Sequence, residues 1–323
     1  MSADYMVVSG LFLGWGLGAN ASANFFGTAV ATNCVRYRTA VILIVIFAIA
    51  GAIIEGPRLY HGYALSPTIT VGLAFLASLG AAVTMCLMTW FSLPASGSQA
   101  AIGGLMGIAI WASGIYGAEW GKLSGWIFCW VLTPLSSGLI AFFCMKLMGP
   151  VIRHAVVRVE ILNLIYKIGL ILCGCYGAYI LGANNVVVTT GPFFSAGLFG
   201  DPSRESSAVI AAACGGLSIA LGALTYSRKV MMTVGRGITA LDPFSALVAV
   251  LAHSLAMHLF TELHVPVSSS QAIVGAVAGV GFSKGMKTIN SRILGAVLGG
   301  WLLVPTVSGL LAFCTAFLSH AGR

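Results

Sequence analysis

The chain has 323 residues, a formal net charge of +8 and eight cysteines, and only 7% of its residues are charged. Soluble domains carry about 25% charged residues, so with 59% hydrophobic residues and a mean hydropathy of +0.99 a soluble fold is excluded. The positive charge does not point to nucleic acid either, because the basic residues sit in short loops between apolar runs, as they do on the basic side of a membrane protein.

In chain order, the start from Met1 to Asp4 lacks the basic region of a cleaved signal peptide, which predicts that the first apolar segment is retained. Five apolar segments follow in the first half, at 4–33, 40–54, 69–92, 95–112 and 122–147. The second half gives five more, at 161–198, 206–226, 240–261, 267–282 and 290–318. Most approach the roughly 20 residues that cross a hydrocarbon core. The first and sixth are predicted to be broken helices, because Gly18-Ala19-Asn20 and Gly182-Ala183-Asn184 interrupt them. Gly and Asn are weak helix-interior residues, and hydrocarbon cannot satisfy the Asn amide. Such breaks are tolerated in a membrane only where the freed backbone is buried or lines a polar cavity. The fourth and ninth segments are short and rich in Gly, so they read as spans or as re-entrant hairpins. The cysteines are scattered through apolar runs, with Cys173 and Cys175 the only close pair. They read as small buried thiols rather than as a zinc site or a disulfide framework.

The two halves, 1–150 and 151–323, align at an offset of about 164 to 172 residues. After each Gly-Ala-Asn comes a second landmark: Leu93-Pro94-Ala95-Ser96-Gly97-Ser98-Gln99 parallels Val265-Pro266-Val267-Ser268-Ser269-Ser270-Gln271. A third pairs Pro134, Gly138 and Phe142 with Pro305, Gly309 and Phe313. An odd number of spans per half requires inverted repeats, and loop charges test the inference. Arg36 and Arg38 face an acidic counterpart with Asp201, Arg204 and Glu205. Glu55 and Arg58 stand against Arg228, Lys229 and Arg236, and Glu119 and Lys122 against Lys284, Lys287 and Arg292. The basic side alternates as inversion demands, which places both termini outside. The fold class expected is thus an all-α integral membrane protein of two inverted repeats, together one transport unit.

Each half offers neutral hydrogen-bonding groups: an Asn at a helix break, a Ser/Thr-rich helix start and a Pro-Ser-Gln segment. Half-helix N-termini would add free N–H groups and partial positive charge, a setting suited to an oxyanion. The candidate anion ligands are Asn20, Ser22, Asn24, Thr28, Ser96, Ser98 and Gln99, with Asn184, Asn185, Thr189, Thr190, Ser268, Ser269, Ser270 and Gln271 from the second half. Ser and Thr also pack helices in membranes and bond to their own backbone, so the repeated pairs Asn20/Asn184 and Gln99/Gln271 carry the functional reading. Glu55, Asp242 and Glu262 flank spans, while His253 and His258 lie inside one. A buried, satisfied histidine is the plainer reading of each, and a proton relay the sharper one. No metalloprotease, hydrolase or P-loop motif and no carboxylate pair is present, so an enzyme is not expected.

At these residues the chain resembles the inorganic phosphate transporter family. The resemblance rests on Gly18-Ala19-Asn20 through Asn24 to Gly27-Thr28, on Gly182-Ala183-Asn184 to Gly191-Pro192, and on the two segments Pro94 to Gln99 and Pro266 to Gln271. It covers the whole chain and implies inverted repeats, a central anion site and secondary transport coupled to Na⁺ or H⁺. The family pattern has Asp after each Gly-Ala-Asn, where this chain has Ala21 and Asn185. Loss of both carboxylates weakens a cation site and shifts the expected coupling ion from Na⁺ toward H⁺. Asn185, Glu55 and His253 are the candidates for the coupling ion. Sulfate permeases resembling this family also lack the Asp, so phosphate stands first by resemblance and sulfate nearly even with it. The expectation is an ion-coupled oxyanion symporter working by alternating access, with a passive anion channel on the same scaffold as the alternative. Its partners are the anion and the lipid bilayer, a homodimer is admitted, and in a prokaryote it would sit in the inner membrane.

Overall fold

The computed structural model describes residues 3–60, 69–93, 95–117, 120–155, 158–237, 241–285 and 291–321. Pro94, Glu119 and Lys287, which entered the repeat and charge arguments, lie outside them. A chain this apolar must satisfy its backbone polar groups internally, and helices do so within one segment. The described residues accordingly form helices and no strand. A short 3-10 turn at Ala3–Val7 leads into α1 (Val8–Ala21), α2 (Ala23–Ala31), α3 (Tyr37–Ile54), the single turn α4 (Gly56–Leu59), α5 (Val71–Trp90), α6 (Gly97–Gly117) and α7 (Trp120–Ala155). The second half has α8 (Val159–Ser195), α9 (Glu205–Tyr226), α10 (Arg228–Gly237), α11 (Pro243–Glu262), α12 (Ser269–Lys284) and α13 (Ser291–Ala321).

Among the described residues nine segments are long and apolar enough to cross a membrane. They match nine of the ten expected from the sequence, and the tenth is α12, a helix of 16 residues. Polarity is arranged for a lipid solvent. Phe128, Val131, Leu135, Leu139 and Phe143 form an exposed apolar stripe along α7, whereas Asn20, Asn24, Asn184, Gln99 and Gln271 are buried. Spacings of three and four residues keep that stripe on one helix face.

Of the two expected helix breaks, the first is a slight interruption at Ser22 and the second is absent. Helix α8 runs without interruption through Gly182-Ala183-Asn184 to Ser195. In the first half only Ser22 separates α1 from α2, and its backbone stays right-handed helical (φ −56°, ψ −26°). Tertiary partners explain both. The amides of Asn20 and Asn184 bond to neighbouring elements, so the helix need not open, and the glycines mark close approach. A Cβ on Gly18 would collide with the Ile219 carbonyl, and one on Gly182 with the Ala48 carbonyl; Gly222 meets Trp15 and Gly51 meets Tyr179 likewise.

These glycine contacts reveal the packing scheme. Helix α1 packs on α9 as α8 packs on α3, so each first helix lies against the second helix of the other half. The same exchange joins α6 to α13 and α12 to α7. There Gly103 and Gly107 abut the Pro305 and Gly309 carbonyls, while Gly275 and Gly279 abut those of Pro134 and Gly138. Helices α5 and α11 complete matching sets, α5 against α1, α6 and α13, and α11 against α8, α12 and α7.

Helix caps repeat as well. Thr70 Oγ1 accepts from Leu73 N at 3.3 Å to start α5, and Asp242 Oδ1 accepts from Ser245 N at 2.9 Å to start α11, each satisfying an otherwise orphaned donor. Asp242 also takes a hydrogen bond from the Lys284 ammonium at the end of α12. Burial raises the Asp242 carboxyl pKa, but the bonds from Lys284 and Ser245 outweigh it and leave the group below its ordinary value. A depressed folded value stabilises above the unfolded pKa and loses that stability as pH falls through the folded one. The pair is half exposed and screened, so Lys284→Ala is expected to cost only about 0.5–1 kcal/mol at neutral pH. Thermal unfolding in detergent checks this: the difference from wild type should shrink once the pH drops below about 4.

Candidate functional site

The Pro-Ser-Gln segments, not the Gly-Ala-Asn tripeptides, supply the helix N-termini at the site. Ser96 Oγ accepts from Gln99 N at the start of α6, and Ser268 Oγ accepts from Gln271 N at the start of α12, both at 3.3 Å. The capping hydroxyls lie 3.4 Å from Ser98 Oγ and 2.9 Å from Ser270 Oγ respectively. Each buried start therefore presents first-turn N–H groups at the positive end of a helix dipole. Preceding each is a non-glycine residue held in the left-handed region, Ser92 (φ 58°) and His264 (φ 57°). That conformation costs an L-residue roughly 1–2 kcal/mol, and it turns the chain sharply from the end of α5 or α11 into the Ser segment.

Asn20 fixes that turn in the first half. Its Nδ2 donates to Thr89 Oγ1 at 3.2 Å and to Leu93 O at 2.9 Å, and its Oδ1 accepts from Ala95 N at 3.0 Å. Asn184 repeats the arrangement with Thr261 Oγ1 at 3.1 Å and Val265 O at 3.5 Å. Both amides, expected from the sequence to hold the anion, thus bond to the segment that carries the serines. Asn20 uses three of its four hydrogen-bonding positions in this way and acts as a clamp on Ser96, Ser98 and Gln99. Thr89 and Thr261 were not singled out in the sequence, although they occupy equivalent places in the two halves.

The halves meet at Asn24. Its Nδ2 donates to Ser269 Oγ at 2.9 Å, joining α2 to the start of α12. The next residue, Phe25, packs at a 33° tilt against the ring of His253 from α11 with centroids 4.5 Å apart. Beside and on α2, and at the starts of α6 and α12, several buried polar atoms have no hydrogen-bond partner among the described residues: Ser22 Oγ, Thr28 Oγ1, and the amide oxygens Asn24 Oδ1, Gln99 Oε1 and Gln271 Oε1. Buried polar atoms are normally satisfied, which sets these apart. Gln99 and Gln271 also line one cavity of about 950 Å³ between α6, α7, α12 and α13, walled by Trp130 and Trp301 among many aliphatic residues.

Other expected residues are engaged locally. Asn185 Nδ2 bonds to Leu181 O, and Thr189 and Thr190 bond to Val186 O, all within α8. Thr190 Oγ1 also lies 2.7 Å from Tyr60 Oη, a neighbour that no sequence signal indicated. Glu55 belongs to a separate cluster. It pairs with Arg58 at 3.3 Å and lies near His258 and Glu262, which are 3.8 Å apart.

A multi-spanning helical membrane transporter, with exchanged halves and a buried polar centre at two capped helix starts, is the class this architecture defines. The phosphate transporter family model matches residues 17–312, and the chain belongs to that family. A candidate phosphate permease of Methanocaldococcus jannaschii is 29% identical over 315 residues, covering 97% of this chain and 96% of its own. One of Pyrococcus abyssi is 24% identical over 388 residues, covering 95% of each. A solved structure described as the sodium-dependent phosphate transporter superposes with a TM-score of 0.86 over 99% of this chain and 100% of its own, at 21% identity. The likeness in fold supports the all-helical membrane architecture, and the family is one of transporters rather than enzymes.

Proposed function

We propose that this chain is a proton-coupled carrier of inorganic phosphate, working by alternating access between two inverted repeats with its termini outside. One observation carries the choice of anion. Among the described residues the buried amide oxygens of Asn24 on α2, Gln99 at the start of α6 and Gln271 at the start of α12 are acceptors without donors. Hydroxyl and N–H donors suit any tetrahedral oxyanion, but an unpaired acceptor suits one that brings its own O–H. Hydrogen phosphate does; sulfate at neutral pH does not. In Asn24 the amide nitrogen is held by Ser269 Oγ, which leaves the oxygen as the free acceptor. Family membership supports phosphate independently. The missing carboxylates at Ala21 and Asn185, which favoured sulfate in the sequence, are offset by these amides.

Exchange of helices between halves supports the repeat architecture, since each glycine contact at one seam has its counterpart at the other. With neutral residues where the family pattern has Asp, protons rather than sodium are the coupling ion of choice. Uptake of labelled phosphate into proteoliposomes, under imposed pH or Na⁺ gradients, tests the reading. Phosphate should accumulate with an inward proton gradient, and sulfate should compete at least about tenfold more weakly, because a site built around a substrate hydroxyl penalises an analogue lacking it. Equal competition by sulfate would overturn the anion assignment. Flux that follows voltage alone would replace the carrier with a channel.

A further inference from the structure

We propose that His253 binds the coupling proton, beside the Asn24–Ser269 corner of the anion site. This rests on the carrier reading above and assigns a residue to its proton. His253 is fully buried in α11, and neither ring nitrogen has a well-formed hydrogen bond. The Phe25 ring packs against it at a tilt, 4.5 Å between centroids, and the backbone of Ser269 lies beside it without full hydrogen-bond geometry. Ser269 is the residue whose hydroxyl receives the Asn24 amide, so the imidazole adjoins the junction where the halves meet.

Helices α2, α7, α8 and α12 pack on α11. Helix α2 carries no titratable side chain, and α12 carries only Lys284, tied to Asp242 at its far end. Helix α8 contributes Cys173, Cys175, Tyr176 and Tyr179 along this stretch, and α7 contributes Cys129 and Cys144, thiols and phenols that are neutral at ordinary pH. Further along α11, His258 stands with Glu262 and against the Tyr176 ring at 5.6 Å. No charged side chain bears on the His253 ring.

This environment couples proton to anion through charge. Burying a lone anion in a low-dielectric interior costs several kcal/mol, and so does burying a lone imidazolium. Side by side they offset one another, so each favours the binding of the other, and by linkage the effect is reciprocal. On the loading side a hydronium O–H bond breaks and an N–H bond forms on the vacant ring nitrogen, leaving water and imidazolium. On the unloading side the N–H bond breaks and the proton returns to water as the anion leaves. No other bond changes. His253 thereby supplies, for an anion, the charge balance that the residues at Ala21 and Asn185 do not.

The test separates coupled uptake from exchange. In proteoliposomes, His253→Gln should lower phosphate accumulation driven by a pH gradient about tenfold or more. Exchange of labelled external phosphate for unlabelled internal phosphate, at equal pH and saturating phosphate on both sides, should continue, because it needs no net proton movement and excess anion makes up for weaker binding. Wild-type uptake that ignores the pH gradient would overturn the coupling reading and this inference together. Wild-type uptake that responds, with His253→Gln responding equally, would overturn the assignment of His253 alone. Should His253→Gln lose exchange as well, wild-type protein decides. Calorimetry of phosphate binding in two buffers of different ionisation heat should show proton uptake beyond phosphate's own titration, and none would overturn the proposal.

Discussion

Asn20→Ala is expected to lower phosphate transport by about 100-fold and to destabilise the protein by about 3 kcal/mol. The stability loss follows from the groups left behind. Alanine would strand the Leu93 carbonyl and the Ala95 N–H, and each buried unsatisfied group costs about 1–3 kcal/mol. Thr89 would lose least, since its hydroxyl still donates to Met85 O at 2.7 Å. The transport loss follows from displacement: Ser96, Ser98 and Gln99 would no longer be held in place, and a shift of about 1 Å can cost 10²-fold. Asn184→Ala should be milder, about 1–2 kcal/mol, because one of its two bonds is long at 3.5 Å and its Oδ1 has no partner to strand. Thermal unfolding of purified protein, alongside initial uptake rates, checks both. A direct ligand role would look different, with affinity lost at unchanged stability. Full uptake by the double variant Asn20→Ala with Asn184→Ala would remove both asparagines from the site.

The ordering of those two effects bears on how the site was assembled. The halves carry the same landmarks, yet the centre is not symmetric. Asn24 bridges to Ser269, whereas the equivalent positions in the other half are Val188 and Gly97, which offer no side-chain hydrogen bond. His253 likewise has Ala81 as its counterpart. A duplicated frame therefore holds one polar corner built from α2, α11 and α12. The frame is set by repeated residues such as Asn20, Asn184, Ser96 and Ser268, and the asymmetry by unrepeated ones such as Asn24, His253 and Ser269.

This division explains what the sequence disclosed. Nine of the ten apolar segments and the two Ser-rich segments were legible because lipid imposes length and hydropathy on each span, and repetition multiplies weak signals. The break expected at Gly182 was misread because propensity is local. A glycine costs a helix about 1 kcal/mol relative to alanine, and packing readily outweighs that. At Gly18 and Gly182 the missing Cβ lets backbones touch. The role of Asn20 was half legible: its burial followed from the membrane, but its partners Thr89, Leu93 and Ala95 lie some 70 residues away. The Asn24–Ser269 bond, spanning 245 residues, depends wholly on the exchange of helices between halves, for which no sequence pattern was available. Only the residues stranded without partners, visible once the helices are packed, separate an acceptor-bearing site from a purely donating one.

Gly18→Ala and Gly182→Ala should be among the most destabilising single-methyl changes the chain can suffer, at about 3 kcal/mol or more. Overpacking usually costs about 1–3 kcal/mol because a neighbouring side chain moves aside. Here the obstructing atoms are backbone carbonyls of α9 and α3, held within intact helices, and nothing short of separating the helices relieves the clash. Gly103→Ala and Gly275→Ala meet the same obstacle at the other two seams, against Pro305 and Pro134. Glycines in open space give the contrast. Gly72, Gly121 and Gly125 have nothing within 4 Å of a built Cβ, so alanine there should be neutral or stabilising by about 0.5–1 kcal/mol through lower chain entropy. Thermal unfolding in one detergent across this set should split it into two groups with no overlap. The equivalence of the seams makes a further demand. If α1–α9 and α8–α3 are the same joint made twice, Gly18→Ala and Gly182→Ala should cost nearly the same, even though the asparagines two residues on differ in their bonding. Unequal costs would mean that one joint yields more easily than the other, and that the exchanged halves do not share the strain of transport evenly.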